Sequence, residues 1–147
     1  MLTTYPHDRI DLGYPPLDKE HLAFFKTIQL ADRAAQEEDF GAVSLVFEKC
    51  YDYARQHFVH EEKLMEQMSF PQTDAHIKSH AVFIKNISEM REQFEYAPVA
   101  KEKTRIAVWL AHFLEVWFLG HIMSRDSLLK PYLAKLSEKQ SDGKTKR

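Results

Sequence analysis

HFVHEEKLMEQMSFPQTDAHIKSH, residues 57–80, is the stretch whose reading decides the fold. It holds two pairs of potential metal ligands at four-residue spacing, His57 with Glu61 and His76 with His80, on either side of a Phe70-Pro71 break. On a helix, residues four apart share a face and lie about 6 Å apart. Each pair can grip one ion, and the break folds the second pair back towards the first.

A single HxxxH carries little weight, because on an amphipathic helix it is ordinarily a solvated face or a set of hydrogen-bonded core polar groups. Two pairs on consecutive helices strengthen the metal reading. The rest of the chain decides, by supplying or not supplying further nitrogen and oxygen donors at the same level.

Upstream of the break, Asp39 offers an N-cap for a helix whose apolar stripe runs Val43, Val46, Phe47, Cys50, Tyr53, Ala54 and on to Met65 and Met68, with His57 and Glu61 in register. Before it, Asp18 offers a cap for a first helix carrying His21, Phe24, Phe25, Ile28, Ala31 and Ala35. Residues 1–16 contain Pro15-Pro16 and no helical period, so an extended arm is expected, packed on the body through Tyr5, Ile10 and Tyr14.

Downstream, Thr73 offers a cap for a third helix with His76, His80, Phe83, Ile84, Ile87 and Phe94 on its buried side. After Pro98, a fourth helix carries Ile106, Ala107, Leu110, Leu114, Trp117, Phe118 and His121. Pro131 should bend or stop it, leaving a short helical turn with Leu128, Leu129, Tyr132 and Leu133. The expectation is an all-α, antiparallel up-down-up-down four-helix bundle over residues 17–136, with the arm at 1–16 and a disordered polar tail at 137–147.

Composition agrees with one domain. A chain of 147 residues can bury a core without disulfides, and its lone Cys50 rules out an internal disulfide and favours a reducing, cytoplasmic home. The 20 Lys and Arg are scattered among 22 Asp and Glu, unlike the concentrated basic face of a nucleic-acid binder. No basic, apolar leader is legible at the N-terminus, and no apolar run is expected to approach the length of a membrane span.

Six donors, His21, His57, Glu61, His76, His80 and His121, thus fall on core-facing stripes, with every helix contributing. Burying imidazole and carboxylate is costly unless each group is paired or metal-bound. Metal coordination explains this distribution better than unrelated buried polar groups do, and nitrogen and oxygen donors without thiolate favour iron, manganese or zinc.

The segments DKEH (18–21), HFVHEE (57–62), HIKSH (76–80) and WFLGHIMSRD (117–126) together resemble the hemerythrin family, and within it the single-domain bacteriohemerythrins. The resemblance implies a bundle holding two non-heme irons bridged by an oxo or hydroxo group. It would assign His76, His80 and His121 to one iron and His21 and His57 to the other, with Glu61 and Asp126 bridging the pair. Periodicity alone does not reach Asp126: five residues after His121 on a straight helix it points about 140° away, so the helix must loosen or end there. His7, His60 and His112 are left outside the ligand set.

The resemblance further implies that dioxygen, and small anions such as azide, bind in a pocket beside Trp117 and Phe118, and that the chain acts as a monomeric oxygen carrier, store or deliverer to an oxygen-using enzyme, not itself an enzyme. An oxygen or redox sensor working through a partner, and a weak di-iron enzyme handling peroxide or nitric oxide, are the alternatives. Five imidazoles against two carboxylates stabilise high-valent iron less than a carboxylate-rich set, which favours reversible binding. Two departures from the family pattern stand out: Tyr5 replaces the usual Trp of the arm, and Phe118 replaces the Leu expected one turn before His121, adding bulk over the oxygen pocket.

Overall fold

The computed structural model describes residues 3–145. Among them every regular element is helical: α1 (His7–Ile10), α2 (Pro15–Gln36), α3 (Phe40–Tyr53), a π-helical turn (Ala54–Phe58), α4 (Val59–Gln67), α5 (Thr73–Tyr96), α6 (Ala100–Ser124), a 3-10 turn (Asp126–Leu129) and α7 (Lys130–Thr145). Helix α2 packs on α3 and α6, while α5 packs on α6 and on α3 and α4, so the long helices close a ring around one core. Phe47, Phe83, Phe118, Leu17, Met65, Ile87, Met90 and Leu114 fill it, each fully buried.

Local sequence explains the boundaries. Asp39 caps α3 by accepting from the Ala42 amide at 3.1 Å. Helix α2 starts at Pro15, ahead of the expected Asp18 cap, because proline tolerates the first turn, where its missing N–H would have no partner. Asp18 instead reaches back and accepts from the amides of Leu12 at 2.8 Å and Gly13 at 3.1 Å, pinning the arm. Gly13 makes that approach with φ of +74°, a left-handed conformation open to glycine.

The arm is therefore not simply extended. Its single turn α1 closes on the Pro6 carbonyl, which accepts from Arg9 and Ile10, and this winding lets Tyr5, Ile10 and Leu12 all face inward. Thr73 is the first residue of α5 and not its cap; its hydroxyl donates to the Phe70 carbonyl at 2.6 Å, closing the turn after Pro71. On α5 the core stripe runs through His76, His80, Phe83, Ile87, Met90 and Phe94, so Ile84 is 39% exposed, contrary to its expected place.

The C-terminus departs most from expectation. Pro131 sits in the first turn of a helix instead of stopping one. The short turn and disordered tail are replaced by α7, which runs to Thr145. Leu133 and Leu136 are buried along one side of it, in line with Leu129 of the preceding 3-10 turn, and Tyr132 packs edge-on against Phe70. Once that apolar side nucleates the helix, good helix formers such as Glu138, Lys139 and Gln140 extend it. The outermost parts of the expected arm and tail, at 1–2 and 146–147, lie outside the described residues.

Contrary to the expectation that no run is long and apolar enough to cross a membrane, the stretch Ala100–Ser141 qualifies by length and composition. Its apolar character has a core explanation, since Ile106, Leu110, Leu114, Phe118 and Ile122 are buried.

Replacing Asp18 by Ala should leave the Leu12 and Gly13 amides without their acceptor and loosen the arm at a cost of about 1 to 2 kcal/mol. Chemical denaturation of wild type and D18A checks this, and identical midpoints would show that the arm is held by its apolar contacts alone.

Candidate metal centre

Four helices and two turns deliver seven donors to one place: His21 from α2, His57 from the π turn, Glu61 from α4, His76 and His80 from α5, His121 from α6 and Asp126 from the 3-10 turn. All are buried. The π turn contains one of them, in keeping with the tendency of such wide turns to mark functional sites. Helix α6 ends at Ser124, and the tighter winding that follows swings Asp126 inward, so that its Oδ1 lies 2.9 Å from His121 Nε2.

The donors form two groups that share a member, each with its ligand atoms within 4.8 Å of one another: Glu61, His76, His80 and His121, and His21, His57, Glu61 and Asp126. The carboxylates straddle them. Glu61 turns Oε1 towards His76 and towards His80 at 3.0 Å, and Oε2 towards His57 at 3.4 Å. Asp126 turns Oδ1 towards His76 and His121, at 3.0 and 2.9 Å, and Oδ2 towards His21 at 3.0 Å. Each carboxylate thus offers one oxygen to each set of imidazoles.

The outer nitrogens of three rings are held from behind. His57 Nδ1–H donates to Glu20 Oε1 at 3.0 Å and His80 Nδ1–H to Glu62 Oε2 at 2.9 Å, while His121 Nδ1 pairs with the Ser79 hydroxyl at 2.7 Å. The same rings are stacked: His57 on Tyr53, His80 on Phe58 and His121 on Trp117, with interplanar angles of 11°, 4° and 10°. Phe118 packs edge-on against His21, ring centroids 5.9 Å apart.

This architecture fits metal cations. With Nδ1–H donated outward, His57 and His80 turn Nε2 towards carboxylate oxygens that carry only lone pairs, and an Nε2 without a proton likewise offers only a lone pair. Such atoms at about 3 Å need positive charge between them. His21 Nε2, His121 Nε2, Glu61 Oε2 and both Asp126 oxygens are buried without any hydrogen-bond partner, an arrangement that an apolar core does not sustain.

Protons are the competing positive charge. Burial opposes the imidazolium of His57, yet the bonds to Glu20 and Glu61 outweigh it and push its pKa up to about 9. Burial likewise opposes His76, and Asp126 and Glu61 push it up to about 9. Burial favours protonated Glu61, but the surrounding imidazoles hold it well below the usual carboxylate range.

The family model described as the Hemerythrin HHE cation binding domain matches residues 12–133. The chain belongs to the hemerythrin family. It is 30% identical over 120 residues to a bacteriohemerythrin of Pseudomonas paraeruginosa, covering 82% of this chain and 74% of that one. It is 29% identical over 119 residues to a bacteriohemerythrin of Stenotrophomonas maltophilia (81% and 74%), and 28% identical over 119 residues to a myohemerythrin of Theromyzon tessulatum (81% and 84%). The cofactor of this hemerythrin fold is a non-heme di-iron centre, and the two buried donor groups are able to hold its ions.

All seven residues singled out in the sequence meet here, and the three other histidines stay out. His7 is exposed and donates to Asp11 at 3.0 Å, and His112 is exposed on α6. His60 lies at the rim, its Nδ1 2.9 Å from Glu20 Oε1. Sequence reasoning missed Glu20, Glu62 and Ser79. Each is a chain neighbour of one of the donors, and the acidic doubling in DKEH and HEE was the available signal for the two carboxylates.

The raised histidines make a pH prediction. Protons held by His57 and His76 to about 9, against an ordinary 6.5, stabilise the fold fully below pH 6.5, and that contribution is lost as pH rises through about 9. Metal ions replace those protons. Chelator-stripped protein should therefore lose melting temperature between pH 6.5 and 9, while iron-loaded protein should not. Parallel thermal melts decide, and equal slopes would contradict the exchange of protons for metal.

Proposed function

We propose that this hemerythrin-family chain binds dioxygen reversibly, as a carrier, store or deliverer, with its helices in up-down-up-down order. The observation that supports the reading most directly is the straddling of the two donor groups by Glu61 and Asp126. In this reading His76, His80 and His121 would hold one iron and His21 and His57 the other, with both carboxylates shared between them. When bound, the iron pair supplies the electrons that dioxygen accepts and returns.

The chain's own residues would do the rest. Five neutral imidazoles carry no charge, so the two carboxylates leave much of the cation charge uncompensated, which works against accumulation of higher oxidation states. Unequal numbers of imidazoles, three against two, would leave the His21/His57 side as the place with room for a ligand. The edge of the Phe118 ring lies against His21 there and, being fully buried among Phe24 and its neighbours, would exclude water from that side. Trp117, half-buried and stacked on His121, would steady the opposite side.

Metal analysis should find two irons per chain, with Glu61→Ala and Asp126→Ala each losing far more iron than His60→Ala. One tightly held zinc that iron fails to replace would contradict the reading. Reversibility is tested by spectra of anaerobically reduced protein: a charge-transfer band should appear in air, persist for minutes and vanish under inert gas. Irreversible conversion to the oxidised form would favour a sensor or an oxidase.

Phe118→Leu should speed azide access and shorten the life of the oxygenated form. Phe118→Ala should do both more strongly and cost about 3 to 5 kcal/mol of stability as a large-to-small core change. Val116, 58% exposed on the same helix, is the control position. Stopped-flow azide binding that is identical in wild type and both Phe118 variants would show that the ring does not guard the site.

A further inference from the structure

Among the three imidazoles anchored from behind, His57 is anchored differently. The oxygen that accepts its Nδ1–H, Glu20 Oε1, also accepts from His60 Nδ1, at 3.0 and 2.9 Å respectively. Glu62, which anchors His80, has one imidazole partner. Glu20 thus stands between a fully buried ring and one that is 36% exposed, with its own side chain 30% exposed. It also lines a cleft of about 300 Å³ together with Lys49, Asp52, Tyr53, Gln56 and His57.

His57 depends on this anchor. It sits in the π turn, where the backbone is wider than an α-helix, and its Nε2 lies 3.4 Å from Glu61 Oε2, while the other imidazoles have a carboxylate oxygen at 3.0 Å or nearer. The ring stacks on Tyr53, centroids 4.5 Å apart, and lies tilted against His21 at 4.7 Å, but the hydrogen bond to Glu20 is the contact that distinguishes its two nitrogens from behind. Glu20 precedes His21 in α2, so one helix turn supplies one donor of this group and the anchor of the other.

We propose that Glu20 is a positioning residue that holds His57 with Nε2 inward and sets how electron-rich that imidazole is, and that His60, itself no ligand, tunes the effect by sharing the same oxygen. The inference rests on the reading of His57 as an iron ligand. A carboxylate accepting from Nδ1–H draws the ring towards imidazolate and strengthens the lone pair at Nε2. One oxygen divided between two donors is a weaker acceptor for each. Taking the charge from Glu20 therefore makes His57 a poorer donor, and taking the competing donor from His60 makes it a better one. A richer donor favours the more oxidised metal.

This predicts shifts of opposite sign. Glu20→Gln, which keeps an acceptor oxygen but loses the charge, should raise the reduction potential of the iron-loaded protein. His60→Phe, which keeps a ring and excludes water but donates nothing, should lower it. Glu20→Ala, with the acceptor gone, should weaken iron affinity about 10- to 100-fold, read as faster release to a chelator. Had Glu20 and His60 merely packed α2 against α4, both substitutions would loosen His57 and move the potential in the same direction.

The experiment is potentiometric titration and chelator release on iron-loaded wild type, Glu20→Gln, Glu20→Ala, His60→Phe and His57→Ala. Opposed shifts, with iron lost from His57→Ala, support the proposal. Unchanged potentials, or shifts of one sign, overturn it while loss of iron from His57→Ala leaves the ligand reading standing. If His57→Ala keeps both irons as tightly as wild type, the ligand reading falls and the proposal falls with it.

Discussion

Two carboxylates buried in the middle of a helical core constrain everything around them. Glu61 and Asp126 are wholly inaccessible to solvent, and an ionised carboxylate in such a place requires positive charge within a few ångströms. Five imidazoles converge on the pair, brought in by α2, α5, α6 and the π turn between α3 and α4. Neutral imidazole alone does not meet the requirement; protons or metal ions complete it. The fold is therefore arranged so that its interior is finished by cations.

That constraint explains why the helices depart from regularity where they do. A continuous α-helix over residues 40–67 and a straight α6 would have been the simplest solutions by propensity. Instead the chain widens into a π turn at Ala54–Phe58 and tightens into a 3-10 turn at Asp126–Leu129. One contains His57, and the other turns Asp126 inward. The aromatic stacks on His57, His80 and His121 then hold the rings in plane, so that packing and coordination geometry reinforce each other.

Much of this was legible before any coordinates. The 3.6-residue stripes located the long helices and put His21, His57, Glu61, His76, His80 and His121 on their buried sides, because amphipathic periodicity records which face is inward. Asp126 was reached only through family resemblance, since its place depends on where α6 stops being α-helical, and no periodicity reports a change of winding. Glu20, Glu62 and Ser79 escaped for a related reason: they sit one residue round from a donor, where a polar side chain reads as surface until its partner is known. The C-terminal helix was misjudged because Ser137 onwards is polar throughout, and its order depends on Leu129, Leu133 and Leu136 anchoring the preceding turns.

The central claim is that one pair of carboxylates serves two adjacent metal ions. Low-temperature magnetic susceptibility of fully oxidised, iron-loaded protein tests it most directly. Ferric ions that shared Glu61 and Asp126 together with an oxo or hydroxo bridge would couple antiferromagnetically, with the moment per iron collapsing on cooling. Two independent high-spin ferric moments persisting to low temperature would contradict a shared, bridged centre.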